Sequence, residues 1–136
     1  MKIAHLGFVV KDIDLALQSW VSSGYSVKIP KTFDPIQNVF CLVLAKDDEV
    51  DIELVSPGLS DKNPLTSRLK KGGGLDHICF QTKDIELSLE LERLNHSIIV
   101  CQPVLAETFQ QRVAFVVRSG GILVEFIEET ASNDGH

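Results

Sequence analysis

Two histidines and two glutamates in this chain are related by one constant spacing. Residues 5–17, HLGFVVKDIDLAL, recur as residues 77–89, HICFQTKDIELSL, with seven of thirteen positions identical at an offset of 72. The same offset carries Glu53, within Val50-Asp51-Ile52-Glu53-Leu54-Val55, onto Glu125, within Ile122-Leu123-Val124-Glu125-Phe126-Ile127. His5 therefore pairs with His77 and Glu53 with Glu125. A lone histidine beside an apolar run is usually a core or rim residue. A glutamate inside an apolar strand is harder to dismiss, because burying an unpaired carboxylate costs on the order of several kcal/mol or more. Two imidazoles and two carboxylates placed by a two-fold repeat have the composition of a metal site of intermediate hardness, open to Co, Ni, Mn, Fe or Zn. His5, Glu53, His77 and Glu125 are the expected ligands of one divalent ion.

The elements that must position these groups also occur twice. A strand over 2–10 leads to a helix over 12–22, with Asp12 as N-cap, Ile13, Leu15, Ala16, Leu17 and Trp20 on one side, and Gly24 at its end. Strands follow at Tyr25–Ile29, Val39–Ala45 and Val50–Val55, separated by Pro30–Asn38 and by the turn Lys46-Asp47-Asp48-Glu49. The second half repeats the order: strand 75–82, helix 84–94 capped by Asp84, then strands near 97–102, 112–118 and 122–127. Each half is βαβββ. Residues 57–74 read as a linker holding a short helix around Pro64–Lys70, with a proline near its start and glycines after its end.

One βαβββ unit cannot bury its sheet face alone, so the two must pack together. The expected fold is α+β: two tandem βαβββ modules, about 1–56 and 75–131, forming a curled mixed sheet around a concave metal site in a single domain over 1–131. Residues 132–136 read as a flexible tail. Strand periodicity lets each histidine and each glutamate point into the same concavity. Cys79, two residues beyond His77 on the same strand, reads as a small buried hydrophobe.

Composition narrows the partners. A net charge of −6 and a pI near 5.1 supply no basic stripe for nucleic acid, and Arg68, Lys70 and Lys71 read as a solvated helix face. The start, MKIAHLGFVV, reads as a strand rather than a signal peptide, and no run approaches membrane-spanning length. Three widely spaced cysteines, Cys41, Cys79 and Cys101, suggest neither a disulfide framework nor a zinc finger, which fits a reducing cytoplasm. Gly72-Gly73-Gly74 lacks the following helix and lysine of a phosphate cradle and reads as a joint between modules. The expected partner is a small-molecule substrate.

These residues resemble the vicinal oxygen chelate superfamily, whose members include glyoxalase I, methylmalonyl-CoA epimerase, extradiol dioxygenases and bleomycin-resistance-type binding proteins. The chain is most similar to the epimerases: in His5-Leu6-Gly7, in Ile52 to Pro57, in the linker from Asn63-Pro64 to Leu69-Lys70-Lys71-Gly72-Gly73-Gly74-Leu75-Asp76-His77-Ile78, and in Gly121 to Glu125. The resemblance implies that His5, His77 and Glu125 bind metal, that Glu53 stands where the epimerases have Gln or Glu, and that Glu125 also serves as a catalytic base; a homodimer is common in the superfamily and is open to this chain. It implies a metal-polarised carbonyl substrate losing its α-proton in an epimerase- or isomerase-like reaction. A glyoxalase I-type lyase and a non-catalytic ligand-binding or resistance protein are the alternatives. The pattern departs at Pro35-Ile36-Gln37-Asn38-Val39, where the epimerases carry a second catalytic glutamate at the place of Ile36. Asp34 is the nearest substitute, and Ile36 is expected to make the pocket wall more apolar.

Overall fold

The computed structural model describes residues 1–59, 63 and 65–130. The chain runs β1 (Ile3–Val9), α1 (Ile13–Ser22), β2 (Ser26–Asp34), β3 (Val39–Ala45), β4 (Asp51–Pro57), α2 (Leu65–Lys70), β5 (Gly74–Thr82), α3 (Ile85–Leu94), β6 (Ile98–Ala106), β7 (Gln111–Arg118) and β8 (Ile122–Glu128). All eight strands join one curled mixed sheet in the order β2-β3-β4-β1-β5-β8-β7-β6. The parallel pairs β1–β4 and β5–β8 flank a central antiparallel seam, β1–β5. Pro64 and the segment 132–136 lie outside the described residues.

The offset of 72 governs packing as well as sequence. Asp12 and Asp84 are both extended and accept hydrogen bonds from Leu15 N and Leu87 N, capping α1 and α3. After the helices, Gly24 and His96 both adopt positive φ, 97° and 67°. The cluster Ile13, Leu42, Leu44, Ile52 and Leu54 under α1 maps residue for residue onto Ile85, Ala114, Val116, Val124 and Phe126 under α3. In β4 and β8 these apolar residues flank Glu53 and Glu125, so strand alternation turns both carboxylates to the face away from the helices. Leu15 departs from its expected place on the buried side: it lies 200° around the helix from Ile13 at 100° per residue and is 68% exposed.

Two strands outrun their sequence signal. β2 passes through Pro30 to Asp34, and β6 passes through Pro103 to Ala106. Both are edge strands, where a missing N–H deprives no neighbour. Each proline falls in a register break, between Ile29 and Thr32 on β2 and between Cys101 and Val104 on β6; the breaks are 72 residues apart and the prolines 73.

Candidate metal centre

Each of the four central strands, β4, β1, β5 and β8, contributes one of the expected ligands. Gly7 lies between Glu53 and His77 in the cross-strand register, while Cys79 lies between His5 and Glu125. Each histidine thus leans over a small residue toward a glutamate two strands away. The space above Gly7 is fully used: a Cβ there would fall 2.0–2.5 Å from the His77 ring. Gly7→Ala must displace that ring or the strand beneath it, and overpacking of this kind costs about 1–3 kcal/mol. The variant is expected to melt at a lower temperature than the parent and to bind metal more weakly. Thermal unfolding and metal titration check both, and parental values in each would refute the role of Gly7 as the floor under His77.

His5, Glu53, His77 and Glu125 are all buried, and one ligand atom from each lies within 4.8 Å of the others. His5 Nε2 is 3.2 Å from Glu53 Oε1 and 3.0 Å from Glu125 Oε1, while His77 Nε2 is 3.1 Å from each of the same oxygens. The result is a closed ring of alternating nitrogen and oxygen. Metal–nitrogen and metal–oxygen bonds near 2.1 Å separate donors at right angles by about 3.0 Å, against about 3.4 Å for tetrahedral donors. The four edges match the right-angled case, so the residues fit a divalent ion with further coordination positions.

Without a cation, such a ring is held by protons. Burial is the largest influence on His5 and opposes its charge, but the charges and hydrogen bonds of Glu53 and Glu125 outweigh it and lift the imidazole to about 9. Burial likewise opposes a charged His77, yet its hydrogen bonds to Asp76, Glu125 and Glu53 raise it well above its usual value. Burial disfavours both carboxylates, but the two imidazoles hold Glu53 and Glu125 below the ordinary carboxylate range. Two imidazoliums neutralise two carboxylates, the same charge that a divalent ion would bring.

A cavity of about 300 Å³ opens onto Glu53, His77 and Glu125. Val39 and Val55 wall it from the first module, Leu65 from α2 of the linker, and Val100, Phe115 and Leu123 from the second module. His5 does not line this space itself but stacks on Phe109, which does, with ring centroids 5.1 Å apart and planes 3° from parallel. Thr108 Oγ1, from another lining residue, is the one buried side-chain nitrogen or oxygen without a hydrogen-bond partner among the described residues.

The residues around the missing second base are placed differently from expectation. Ile36 is 58% exposed and does not line the cavity, so it makes no apolar wall. Asp34 does line it, but its carboxylate accepts from Ile36 N, Gln37 N, Gln37 Nε2 and Glu107 N at 2.9–3.2 Å. Those four donors fill the acceptor positions of a carboxylate. Cys79 is completely buried among Ala106, Val113 and Ile127, as a small hydrophobe would be. Arg68, in contrast, does not simply sit in solvent: its Nη2 donates to Leu75 O at 2.6 Å and its Nε lies 3.6 Å from Asp76 Oδ1. Asp76 in turn holds His77 Nδ1 at 2.9 Å. Sequence reasoning missed this connection, for which the Asp-His dipeptide was the only signal.

The model of the glyoxalase/bleomycin resistance protein/dioxygenase superfamily matches residues 4–115. No curated protein matches the sequence. Among solved structures, a hypothetical protein from Bacillus halodurans C-125 is 29% identical, with 96% of each chain covered and a TM-score of 0.84. Methylmalonyl-CoA epimerase from Mycobacterium tuberculosis is 21% identical, with 93% of this chain and 86% of that chain covered and a TM-score of 0.81. A variant of Streptomyces coelicolor methylmalonyl-CoA epimerase in complex with 2-nitronate-propionyl-CoA is 21% identical, with 96% and 99% covered and a TM-score of 0.83. Among the described residues, no helix is long and apolar enough to cross a membrane.

Proposed function

The chain belongs to the glyoxalase/bleomycin resistance protein/dioxygenase superfamily, and from that membership we propose that it is a metal-dependent enzyme that removes the proton α to a carbonyl of a small-molecule substrate. The observation that carries this reading is the buried ring of His5, Glu53, His77 and Glu125, the last three of which line an apolar cavity. In this reading the four residues hold one divalent ion, and the ion supplies Lewis acidity to a carbonyl oxygen. The protein's own groups do the rest. The apolar walls exclude water and lengthen the reach of the site's charges. Glu125 commits Oε1 to the two imidazoles, leaving Oε2 to take the proton as a general base. Glu53 is its equivalent by geometry; likeness to the epimerases favours Glu125.

Epimerase- or isomerase-like chemistry is the first form of this proposal, supported by the fold shared with methylmalonyl-CoA epimerases. A glyoxalase I-type lyase is the second, favoured by the two equivalent carboxylates in the ring and by the absence of a free second base at Ile36 or Asp34. The modules 1–56 and 75–131 act as one domain in either case, because each supplies half of the ring.

Metal titration tests the premise. The parent is expected to bind about one divalent ion per chain. His77→Ala is expected to weaken binding by more than the about 10- to 100-fold that loss of an outer partner of a metal ligand costs, since it removes a direct donor. Unchanged stoichiometry and affinity in that variant would place the metal elsewhere and end this reading.

A further inference from the structure

The metal site inherits a two-fold relation from the repeat, yet its two histidines are supported differently. On the seam between β1 and β5 the register breaks twice. Gly7 pairs with His77 and Phe8 with Leu75, leaving Asp76 unpaired; Ile3 pairs with Phe80 and His5 with Cys79, leaving Ala4 unpaired. Ala4 and Asp76 are 72 residues apart, so each histidine directly follows a bulged residue. In a regular strand, neighbours point to opposite faces. The bulge re-aims the side chain, and Asp76 Oδ2 comes to lie 2.9 Å from Nδ1 of the adjoining His77. The methyl group of Ala4 has nothing to offer Nδ1 of His5, whose ring is instead laid flat against Phe109.

We propose that Asp76 is a positioning residue for His77, held in its turn by Arg68 of α2, and that it makes the two imidazoles of the ring unequal partners for a metal. The proposal rests on the metal-site reading above. A carboxylate that accepts from Nδ1–H fixes the tautomer that leaves the Nε2 lone pair free for a cation, sets the plane of the ring and strengthens nitrogen as a donor. Arg68 completes the support from the linker: it spans Leu75 O and Asp76 Oδ1, fastening α2 across the bulge that carries Asp76. Beyond the four-residue ring, Phe109 stacks on His5 where His77 has a carboxylate, which fixes the plane of the His5 imidazole without adding to its donor strength. His77 is therefore the anchoring imidazole of the pair.

Titration of the full-length protein with Zn2+ against a competing chelator tests this, beside nitrogen-15 spectra of the histidine rings. Asp76→Ala is expected to weaken Zn2+ binding about 10- to 100-fold. Asp76→Asn should fall between parent and alanine, because an amide oxygen accepts from Nδ1–H without bringing charge, and this order is not one that a merely structural residue would give. Arg68→Ala should cause a smaller loss that disappears when Asp76 is already alanine. In the spectra, His77 of the parent should carry its proton on Nδ1 once metal is bound, and lose that preference in Asp76→Ala. Parental Zn2+ affinity in both Asp76 variants would overturn the proposal, and an Arg68→Ala loss undiminished in the Asp76→Ala background would overturn the part assigned to Arg68. If the parent itself fails to bind Zn2+, Co2+ or Ni2+, the metal-site reading falls; a His77 ring signal that differs between parent and Asp76→Asn would still support the contact, and an identical signal would overturn it.

Discussion

Metal affinity is expected to climb steeply with pH, by about 100-fold per unit across mildly acidic and neutral solution, and to climb less steeply once pH passes about 9, where His5 has lost its proton. The slope follows from the protons that hold the ring together. His5 is raised to about 9 and His77 well above its usual value, while Glu53 and Glu125 are lowered. An incoming divalent ion must therefore displace two imidazolium protons and none from the carboxylates, and each displaced proton contributes about tenfold per pH unit. The same shifts set the stability of the metal-free protein. Histidines whose values are raised on folding contribute fully below their ordinary value of 6.5 and lose that contribution as pH rises through the raised values. The glutamates, lowered on folding, contribute above their ordinary 4.5 and lose it as pH falls through the lowered values. The ring thus supports the metal-free fold best between about 4.5 and 6.5, and thermal stability should decline toward pH 9. With metal bound the alkaline decline should vanish, because the cation replaces the protons being lost. Chelator-competition titrations and melting curves from pH 5 to 9 measure both effects; an affinity independent of pH would mean that the imidazoles are neutral in the metal-free ring.

Most of this centre was legible because duplication writes the same physical solution twice. Capping by Asp12 and Asp84, the matched cores under α1 and α3, and the four ring residues all follow the offset of 72. The edge strands did not follow simple rules: a proline reads as a break, and only the sheet order shows that Pro30 and Pro103 sit where no neighbour needs their N–H. Nor did the supports of the site. Asp76 reaches His77 because a bulge cancels the alternation on which strand reading depends. The saturation of Asp34 involves Glu107 N, 73 residues away, and no local pattern announces it. What sequence periodicity conveyed was the repeat; what it could not convey was where the two copies differ, and the proposed chemistry turns on those differences.

The difference with the largest consequence for reaction outcome is the lack, among the described residues, of a free carboxylate in the cavity outside the ring. Among the described residues four carboxylates line the cavity: Asp76 holds His77, Asp34 is filled by four N–H donors, and Glu53 and Glu125 share the ring, with Glu125 the proposed base and Glu53 its equivalent by geometry. With metal supplied, solvent deuterium is therefore expected to enter the α-position of an acyl thioester faster than the centre inverts, because one base can remove and return a proton on the same face. Gln37→Glu should change the ratio. Gln37 lines the cavity beside Asp34, and a glutamate there would have its pKa raised by the neighbouring negative charge, toward the range in which a carboxylic acid exchanges protons efficiently near neutrality. A correctly placed acid–base group contributes about 10²- to 10⁴-fold, so inversion relative to exchange should rise within that range. Ile36→Glu is the control: that side chain points to solvent, and its carboxylate should leave the ratio as it was. Inversion as fast as exchange in the parent would show that a second group takes part, either Glu53 from the ring or Asp34 released from its hydrogen bonds when substrate binds. Neither exchange nor turnover with methylmalonyl-CoA, related thioesters or glutathione hemithioacetals would shift the weight to a protein that holds a ligand in its cavity without transforming it, since the same ring that would activate a carbonyl would then serve only to bind one.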